Sequence, residues 1–324
     1  MHALAAPSGP ELESLLAPLG DVAYTADRCA ALADLVREIN ALKRTRHAVI
    51  LAHNYQRPEL FQVADFVGDS LELAREATRV DAETIVFCGV HFMAETAKIL
   101  NPTRRVLLPD LRAGCSLADS VTAEDLAERK AQLRAVYPDL AVVGYVNTTA
   151  DVKAECDACC TSSNAVRVVE GLPSEHILFV PDQNLAAYVQ SQTRKSIIAW
   201  DGNCYVHHQI TPEQIGAVKA ALPHVRVLAL ADAVLSTSGM VRYAHESDAT
   251  EFLVVTECGL SDRLLLEVPG KKFYKSCKLC HYMKMITLEG TRDALRDLQP
   301  EITLPEDVRV RAARALERMF ELGG

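Results

Sequence analysis

No apolar run in this chain of 324 residues approaches the length needed to cross a bilayer. The N-terminal stretch MHALAAPSGPELESLLAPLG lacks a basic region followed by continuous apolar sequence, so it carries no recognisable export signal. Low-complexity linkers are absent. Positive charge is in deficit, with 34 Lys and Arg against 43 Asp and Glu and a net charge of −9. The basic residues are scattered, which argues against a nucleic-acid binder. What remains is ordinary globular composition, 49% hydrophobic and 24% charged, expected in the cytoplasm with no membrane partner. The length suffices for two or three compact domains.

Cysteine, by contrast, is plentiful. Ten cysteines without an export signal point to a reducing compartment and to metal or redox chemistry. Cys29, Cys88 and Cys258 sit in apolar, helix- or strand-like surroundings and read as buried structural residues. The other seven stand in pairs or motifs. KSCKLCHYMKM (275–285) holds Cys277 and Cys280 in a C-x-x-C spacing, which suits zinc, a disulfide or one ligand of an iron–sulfur cluster.

Short apolar runs alternate with helical-period segments along the chain. The segments 47–54, 84–90, 104–110, 140–147, 176–182, 196–202, 225–230 and 251–257 read as buried strands. Strands in a βαβ rhythm without alternating polarity predict parallel sheets covered by helices on both faces. Residues 27–44 and 306–324 read as flanking helices.

Internal repeats single out one cysteine of the C-x-x-C pair. CSLADSVTAEDL follows from Cys115, CYVHHQITPEQI from Cys204 and CHYMKMITLEGT from Cys280; all fit C-x5-[VI]-T-x-E. Thr122, Thr211 and Thr287 each introduce a helical pattern, with Glu124, Glu213 and Glu289 two residues on, a helix-start signature. Cys277 has no counterpart in the other copies. A second repeated feature, D-x-[VC]-x-x-[ST], aligns Ser70, Ser162 and Thr237 at helix entries, where hydroxyls and N–H groups bind carboxylates or phosphates. Upstream, His53 matches Tyr145 and Tyr55 matches Asn147, both pairs just past apolar strands where open parallel sheets bind ligands.

The third copy is short. Ala52 to Ser70 and Gly144 to Ser162 are both 18 residues, but Ala229 to Thr237 is only 8. Roughly ten residues are therefore expected to be missing after Ala229, judged against the repeat period. Three thiolates, one from each of three repeats, make a three-cysteine site. Zinc would need a fourth ligand such as His207 or His281. A [4Fe–4S] cluster on three cysteines leaves one iron open as a Lewis acid.

From about residue 45 to 290 the sequence resembles one family, quinolinate synthase (NadA). The resemblance rests on ILAHNYQ, GDSLELA, PDLRAGCSLADS, GYVNTTADVKAECDACCTSSNA, FVPDQNLA, WDGNCYVHH, STSGM and CHYMKM. It implies three homologous three-layer αβα domains with parallel sheets in a pseudo-threefold arrangement around one [4Fe–4S] cluster. The domains would be 22–113, with the C-terminal helix of 300–324 packing back on it, then 114–200 and 201–299. It implies condensation of iminosuccinate, supplied by an enzyme acting on aspartate, with dihydroxyacetone phosphate to quinolinate, phosphate and water. Cys115, Cys204 and Cys280 would hold the cluster. His53, Ser70, Tyr145, Asn147, Ser162 and Thr237 would bind substrate, with His53 and Tyr145 catalytic. Tyr55 and His207 would line the active-site wall or meet the phosphate, with a packing role as the alternative.

This chain departs from the family in two places. His281 stands where members usually carry proline. The family's His-Pro-Glu-Cys stretch, with a substrate-binding histidine and a catalytic glutamate, falls in the gap after Ala229. An impaired homologue is therefore an alternative expectation, and a zinc or redox-regulated binding protein another. Cys277 is left either as a reversible disulfide partner of Cys280 or as an unused surface or packing thiol. Cys156, Cys159 and Cys160 are expected to pack around the helix start at Ser162.

Overall fold

A computed structural model describes residues 6–20, 22–228 and 235–323. The chain opens with α1 (Gly9–Leu16) and α2 (Ala26–Thr45). The first repeat runs β1 (Ala48–His53), β2 (Phe66–Gly68), α3 (Ser70–Arg79), β3 (Thr84–Cys88), α4 (His91–Leu100) and β4 (Arg105–Leu107). After α5 (Ala123–Arg134) come β5 (Ala141–Tyr145), α6 (Ala150–Ala154), β6 (Ala158–Cys160), α7 (Ala165–Gly171), β7 (His176–Val180), α8 (Gln183–Gln192) and β8 (Ser196–Ala199). After α9 (Tyr205–His208) and α10 (Pro212–Ala221) come β9 (Arg226–Leu228), α11 (Thr237–Glu246), β10 (Glu251–Val254), α12 (Cys258–Glu267) and β11 (Lys272–Lys275). The chain ends in α13 (Leu288–Asp297) and α14 (Glu306–Gly323).

These strands form three parallel sheets, ordered β2-β1-β3-β4, β6-β5-β7-β8 and β11-β10-β9. All eight strands expected from apolar runs are present. Three further strands are too short or too polar to show in sequence. β2 has an exposed Phe66, β6 is Ala-Cys-Cys, and β11 is flanked by Lys272 and Lys275, as suits an edge. The expected helices at 27–44 and 306–324 are α2 and α14.

The register counts the missing residues directly. Ala48 pairs with Thr84 and Ala141 with Ile177, 36 residues on in both sheets. Arg226 pairs with Phe252, only 26 on. The third crossover is thus ten residues shorter, while the next step, Thr84 to Arg105 and Glu251 to Lys272, is 21 in both. The sheet of β9 accordingly has three strands where its counterparts have four, among the described residues. The shortening expected after Ala229 falls on 229–234, which lie outside the described residues.

The cysteine units fold alike. Thr122, Thr211 and Thr287 cap α5, α10 and α13, each accepting the N–H three residues on. A single helical turn separates cysteine from cap in every copy: Ala118–Ser120, α9 and Met283–Met285.

The chain divides into two compact units. One comprises Met1–Gly89, Arg104–Ala113 and Gln209–Glu301, with the first and third sheets; the other comprises Val90–Thr103, Gly114–His208 and Ile302–Gly324, with the second. The C-terminal helix does not pack mainly on the first repeat as expected. α14 lies against α6, β6 and α7, and from the earlier segment against α4. Its apolar stripe of Val308, Ala312, Ala315, Leu316 and Met319 covers the β6 edge, and Arg311 pairs with Glu155 at 2.7 Å. Gly171 permits this approach, since a Cβ there would meet Leu322 at 2.9 Å. No helix among the described residues is long and apolar enough to cross a membrane.

The aspartate of the repeated D-x-[VC]-x-x-[ST] pattern has a structural task. Asp65 accepts the Ile50 N–H at 2.8 Å and pairs with Lys43 at 2.9 Å; Asp157 accepts Val142 N–H at 2.8 Å and pairs with Arg134 at 3.1 Å. Each clamps the incoming edge strand to the first strand of its sheet. The Lys43 pair is largely buried and the Arg134 pair half exposed. Asp65→Ala is therefore expected to cost about 2–3 kcal/mol in chemical denaturation and Asp157→Ala less. Equal, negligible losses would show the clamp to be idle.

Candidate active site

His53 faces Gly68 across the β1–β2 pair, and Tyr145 faces Cys160 across β5–β6, fifteen residues on in both. Ser70 and Ser162 stand two residues beyond those partners. The two polar sets thus occupy equivalent places past the carboxyl ends of parallel strands.

In the first unit, His53 is 5% exposed and meets the Tyr55 ring edge-on at 4.8 Å between centroids. Its Nδ1 accepts the Tyr55 N–H at 3.2 Å, so the proton of the neutral ring sits on Nε2. Burial first, then the charges of Lys284 and Arg263, push its pKa down to about 3. His53 is therefore a neutral Nε2–H donor at physiological pH.

Ser70 and Thr237 are not caps but the first residues of α3 and α11, capped by Asp69 and Ser236. Ser238 joins the two helix starts, accepting the Asp69 N–H at 3.0 Å and donating to Glu72. The buried Asn54 amide donates to Thr237 Oγ1 at 2.7 Å and Ser238 Oγ at 3.1 Å. His53, Ser70 and Thr237 are thereby gathered around the end of β1, beneath two helix N-termini.

The same unit carries Cys280. Glu257 and Lys278 form a bridge at the sheet end, as Asp182 and Gly202 do in the second sheet, and Cys280 and Cys204 lie two residues past those partners. The repeat alignment of Cys280, rather than Cys277, with Cys204 is thus a structural one. Buried Glu257 accepts Cys280 N–H at 3.0 Å and Gly259 N–H at 2.6 Å, and pairs with Lys284 at 3.3 Å. Burial, opposed by Lys284 and these N–H groups, raises the Glu257 pKa. Lys284 also donates to the Tyr55 carbonyl, and its own carbonyl accepts Arg57 at 2.8 and 3.0 Å. Gly259 makes room, since a Cβ there would lie 2.5 Å from the Tyr55 oxygen.

Two cysteine expectations are corrected here. Cys258 is not a lone buried thiol, and Cys277 is neither bonded to Cys280 nor an unused thiol: the two form a disulfide with Cα atoms 5.1 Å apart. Parallel pairing of Val254 with Lys275, continued by the Glu257–Lys278 bridge, brings the start of α12 beside Cys277, two residues past β11.

In the second unit, Cys115 and Cys204 are half-buried and outside the disulfide. Burial raises the Cys204 thiol, while the N–H groups of His207 and Val206 oppose it. Cys159 and Cys160 lie buried on β6, but the helix they were expected to pack around starts at Ala165 and not at Ser162. Ser162 is exposed, three residues before α7, and Asn147 keeps a buried Oδ1 with no hydrogen-bond partner among the described residues. Sequence reasoning missed Lys153, fully buried, which donates to the Thr148 carbonyl beneath the Tyr145–Thr149 loop. Burial lowers its pKa, opposed by Cys159, Glu95, Cys156 and Cys115. Its place inside the quoted TTADVKAECDACC stretch was the available signal. Asn54, Glu257, Arg263 and Lys284 were also missed, because their partners lie far off in sequence.

Cys115 and Cys204 belong to one unit and Cys280 to the other. Among the described residues no three His, Cys, Asp or Glu side chains stand together as a ready metal site.

The buried, neutral His53 makes stability pH-dependent. Its folded pKa lies below the ordinary 6.5, so its contribution is complete above pH 6.5 and is lost as pH falls toward 3. Between pH 7 and 5 the wild type should lose roughly 2 kcal/mol more than His53→Gln in urea unfolding. Parallel pH responses would mean that the ring is not held neutral.

Comparison with known proteins gives the family. The family described as Quinolinate synthetase A protein (NadA) matches residues 37–321. A quinolinate synthase of Desulforudis audaxviator is 52% identical over 302 residues, covering 89% of this chain and 98% of the relative. One of Sinorhizobium medicae is 49% identical over 304 residues, covering 90% of this chain and 84% of its own. Quinolinate synthase 1 of Methanosarcina acetivorans is 48% identical over 300 residues, with 89% and 97% covered. The 302 aligned positions of the first draw on only 89% of 324 residues, leaving about a dozen positions where this chain has none. With matching strand registers, repeated cysteine units and half-identity along most of its length, the chain belongs to the quinolinate synthase family.

Proposed function

We propose that this chain condenses iminosuccinate with dihydroxyacetone phosphate to quinolinate, phosphate and water, with Cys115, Cys204 and Cys280 holding one [4Fe–4S] cluster. The observation that carries the reading is the shared register of His53 and Tyr145, each with a serine two residues past its strand partner. The donor set fits the cluster. All three cysteines are outside the disulfide, each precedes a one-turn helix and a Thr cap, and Cys204 and Cys280 follow equivalent bridges. When bound, the cluster supplies an open iron acting as a Lewis acid.

The chain's own residues bind and position the rest. The N-termini of α3 and α11, with Ser70 and Thr237, suit the carboxylates of a four-carbon diacid. His53, a neutral donor through Nε2, polarises a carbonyl oxygen without bringing a charge. Asn147 offers its buried Oδ1 to a hydroxyl donor, and Ser162 and Tyr145 complete that side. Tyr145 exchanges a proton with the enolising triose. Tyr55, whose hydroxyl shares a hydrogen with Thr256 at 2.5 Å, and the exposed His207 serve as wall. Iminosuccinate is an imine that water hydrolyses, so an enzyme oxidising aspartate must supply it.

Serine in place of Cys115, Cys204 or Cys280 should abolish the brown absorbance near about 400 nm after anaerobic reconstitution. Cys258→Ser and Cys277→Ser should retain it. Loss of iron through Cys277 but not Cys280 would reverse the ligand assignment.

The ten-residue deficit between β9 and β10 favours a second reading, an impaired enzyme that still holds its cluster and substrate. A catalytic glutamate acting as general acid or base contributes about 100-fold or more. Inserting the corresponding segment of a relative between β9 and α11 should raise quinolinate formation about 100-fold or more at unchanged iron content. Full turnover by the chain as it stands would dispose of the impairment.

A further inference from the structure

Asn54 can stand only one way. Its side chain is wholly buried between Arg263 on α12 and the first turn of α11. A guanidinium has no acceptor, so the Arg263 Nη1 contact fixes Asn54 Oδ1 on the α12 side. Arg263 is itself held, 12% exposed, by donating Nε to Glu267 at 2.7 Å. Nδ2 of Asn54 must then face α11, where its two protons go to Thr237 Oγ1 at 2.7 Å and Ser238 Oγ at 3.1 Å. Both hydroxyls act there as acceptors. Ser238 sends its own proton to the Glu72 carboxylate. Thr237 keeps a proton that no acceptor among the described residues receives.

We infer that Arg263 is a positioning residue for the carboxylate site: acting through Asn54, it turns the Thr237 hydroxyl outward as a donor. The inference rests on the reading of Thr237 as a carboxylate contact. A threonine hydroxyl can donate or accept, but a carboxylate only accepts. Were the amide reversed, the Thr237 proton would turn back to Asn54 Oδ1 and its lone pairs would face the incoming anion. A donor-only residue at the far end of the relay excludes that state. The arrangement also selects against neutral or cationic groups that need an acceptor at this point. Arg263 reaches the site a second way, since its charge helps keep His53 neutral.

The test uses the anaerobically reconstituted protein and quinolinate, itself a dicarboxylate, as the probe in isothermal titration, so that turnover is not needed. Thr237→Val should raise Kd about tenfold or more, the loss of a hydrogen bond to a charged group. Asn54→Asp keeps the contact with Arg263 but removes both amide donors, so the Thr237 proton turns inward. Its Kd should rise by a similar factor at wild-type iron content and melting temperature. The double variant should bind no more weakly than the weaker single one, whereas simple charge repulsion from the introduced carboxylate would add to the loss. Arg263→Lys, still donor-only, should stay within about threefold of wild type, and Arg263→Leu should not. Weak binding by Thr237→Val with unaffected Asn54→Asp, or equal Kd for the two Arg263 variants, would overturn the relay while leaving the site reading intact. Wild-type binding by Thr237→Val would overturn the site reading and the relay with it.

Discussion

Parallel pairing of the first strand with a short edge strand in the first two repeats, held in one register by an aspartate, is the constraint from which the site follows. β1 is too short to fix its own end: it stops at His53, and what lies beyond depends on where β2 sits beside it. The Asp65 carboxylate binds the Ile50 N–H, and the Asp65 N–H binds the Ile50 carbonyl at 2.8 Å, so β2 enters at a set height. The β2 end at Gly68 then delivers the start of α3 to the end of β1. Asp157 does the same to Val142 in the second sheet. A slip of one residue would invert every side chain along the edge strand and carry Ser70 away from His53.

The third repeat solves a different problem with charge. Where the second sheet ends in Asp182, which caps α8 locally, the third ends in Glu257, one methylene longer. That reach lets one carboxylate bind the N–H groups of both Gly259 and Cys280 and face Lys284. A buried ion pair of this kind contributes little net stability, because desolvation offsets the attraction. What it supplies is position. It ties the Cys280 loop to the end of β10, and through Lys284 to the Tyr55 carbonyl, so the thiol and the His53 loop share one anchor.

Much of this architecture was legible in the sequence because it depends on local pattern. Apolar runs of β-branched residues marked eight strands, and Thr with an acidic residue marked the three caps behind the cysteines. The repeat chose Cys280 over Cys277, and the bridges at Gly202 and Lys278 give the same alignment. The losses share one cause. β2, β6 and β11 are short segments whose strand character comes from a neighbour, not from their own composition. The Cys258–Cys277 bond depends on β10 and β11 lying side by side, which no spacing reveals. Arg263 sits in an ordinary helical stretch, yet its partner Asn54 is 209 residues away.

The shortened third crossover shows how little of the sheet depends on that connection. The first and second crossovers each spend their extra residues on a polar loop past the strand end and on one edge strand. In the third repeat β9 and β10 pair without them, and Leu228, Phe252, Val254, Leu260 and Leu264 pack in one buried cluster. The entropy of closing a connection varies only logarithmically with its length, so a crossover ten residues shorter changes that contribution little. The corresponding segments of the first two repeats carry the polar residues at and just past the strand ends, His53 to Tyr55 and Tyr145 to Asn147. The shorter crossover leaves this packing in place, and the helix start at Thr237 is anchored to the first repeat through Asn54 and Ser238.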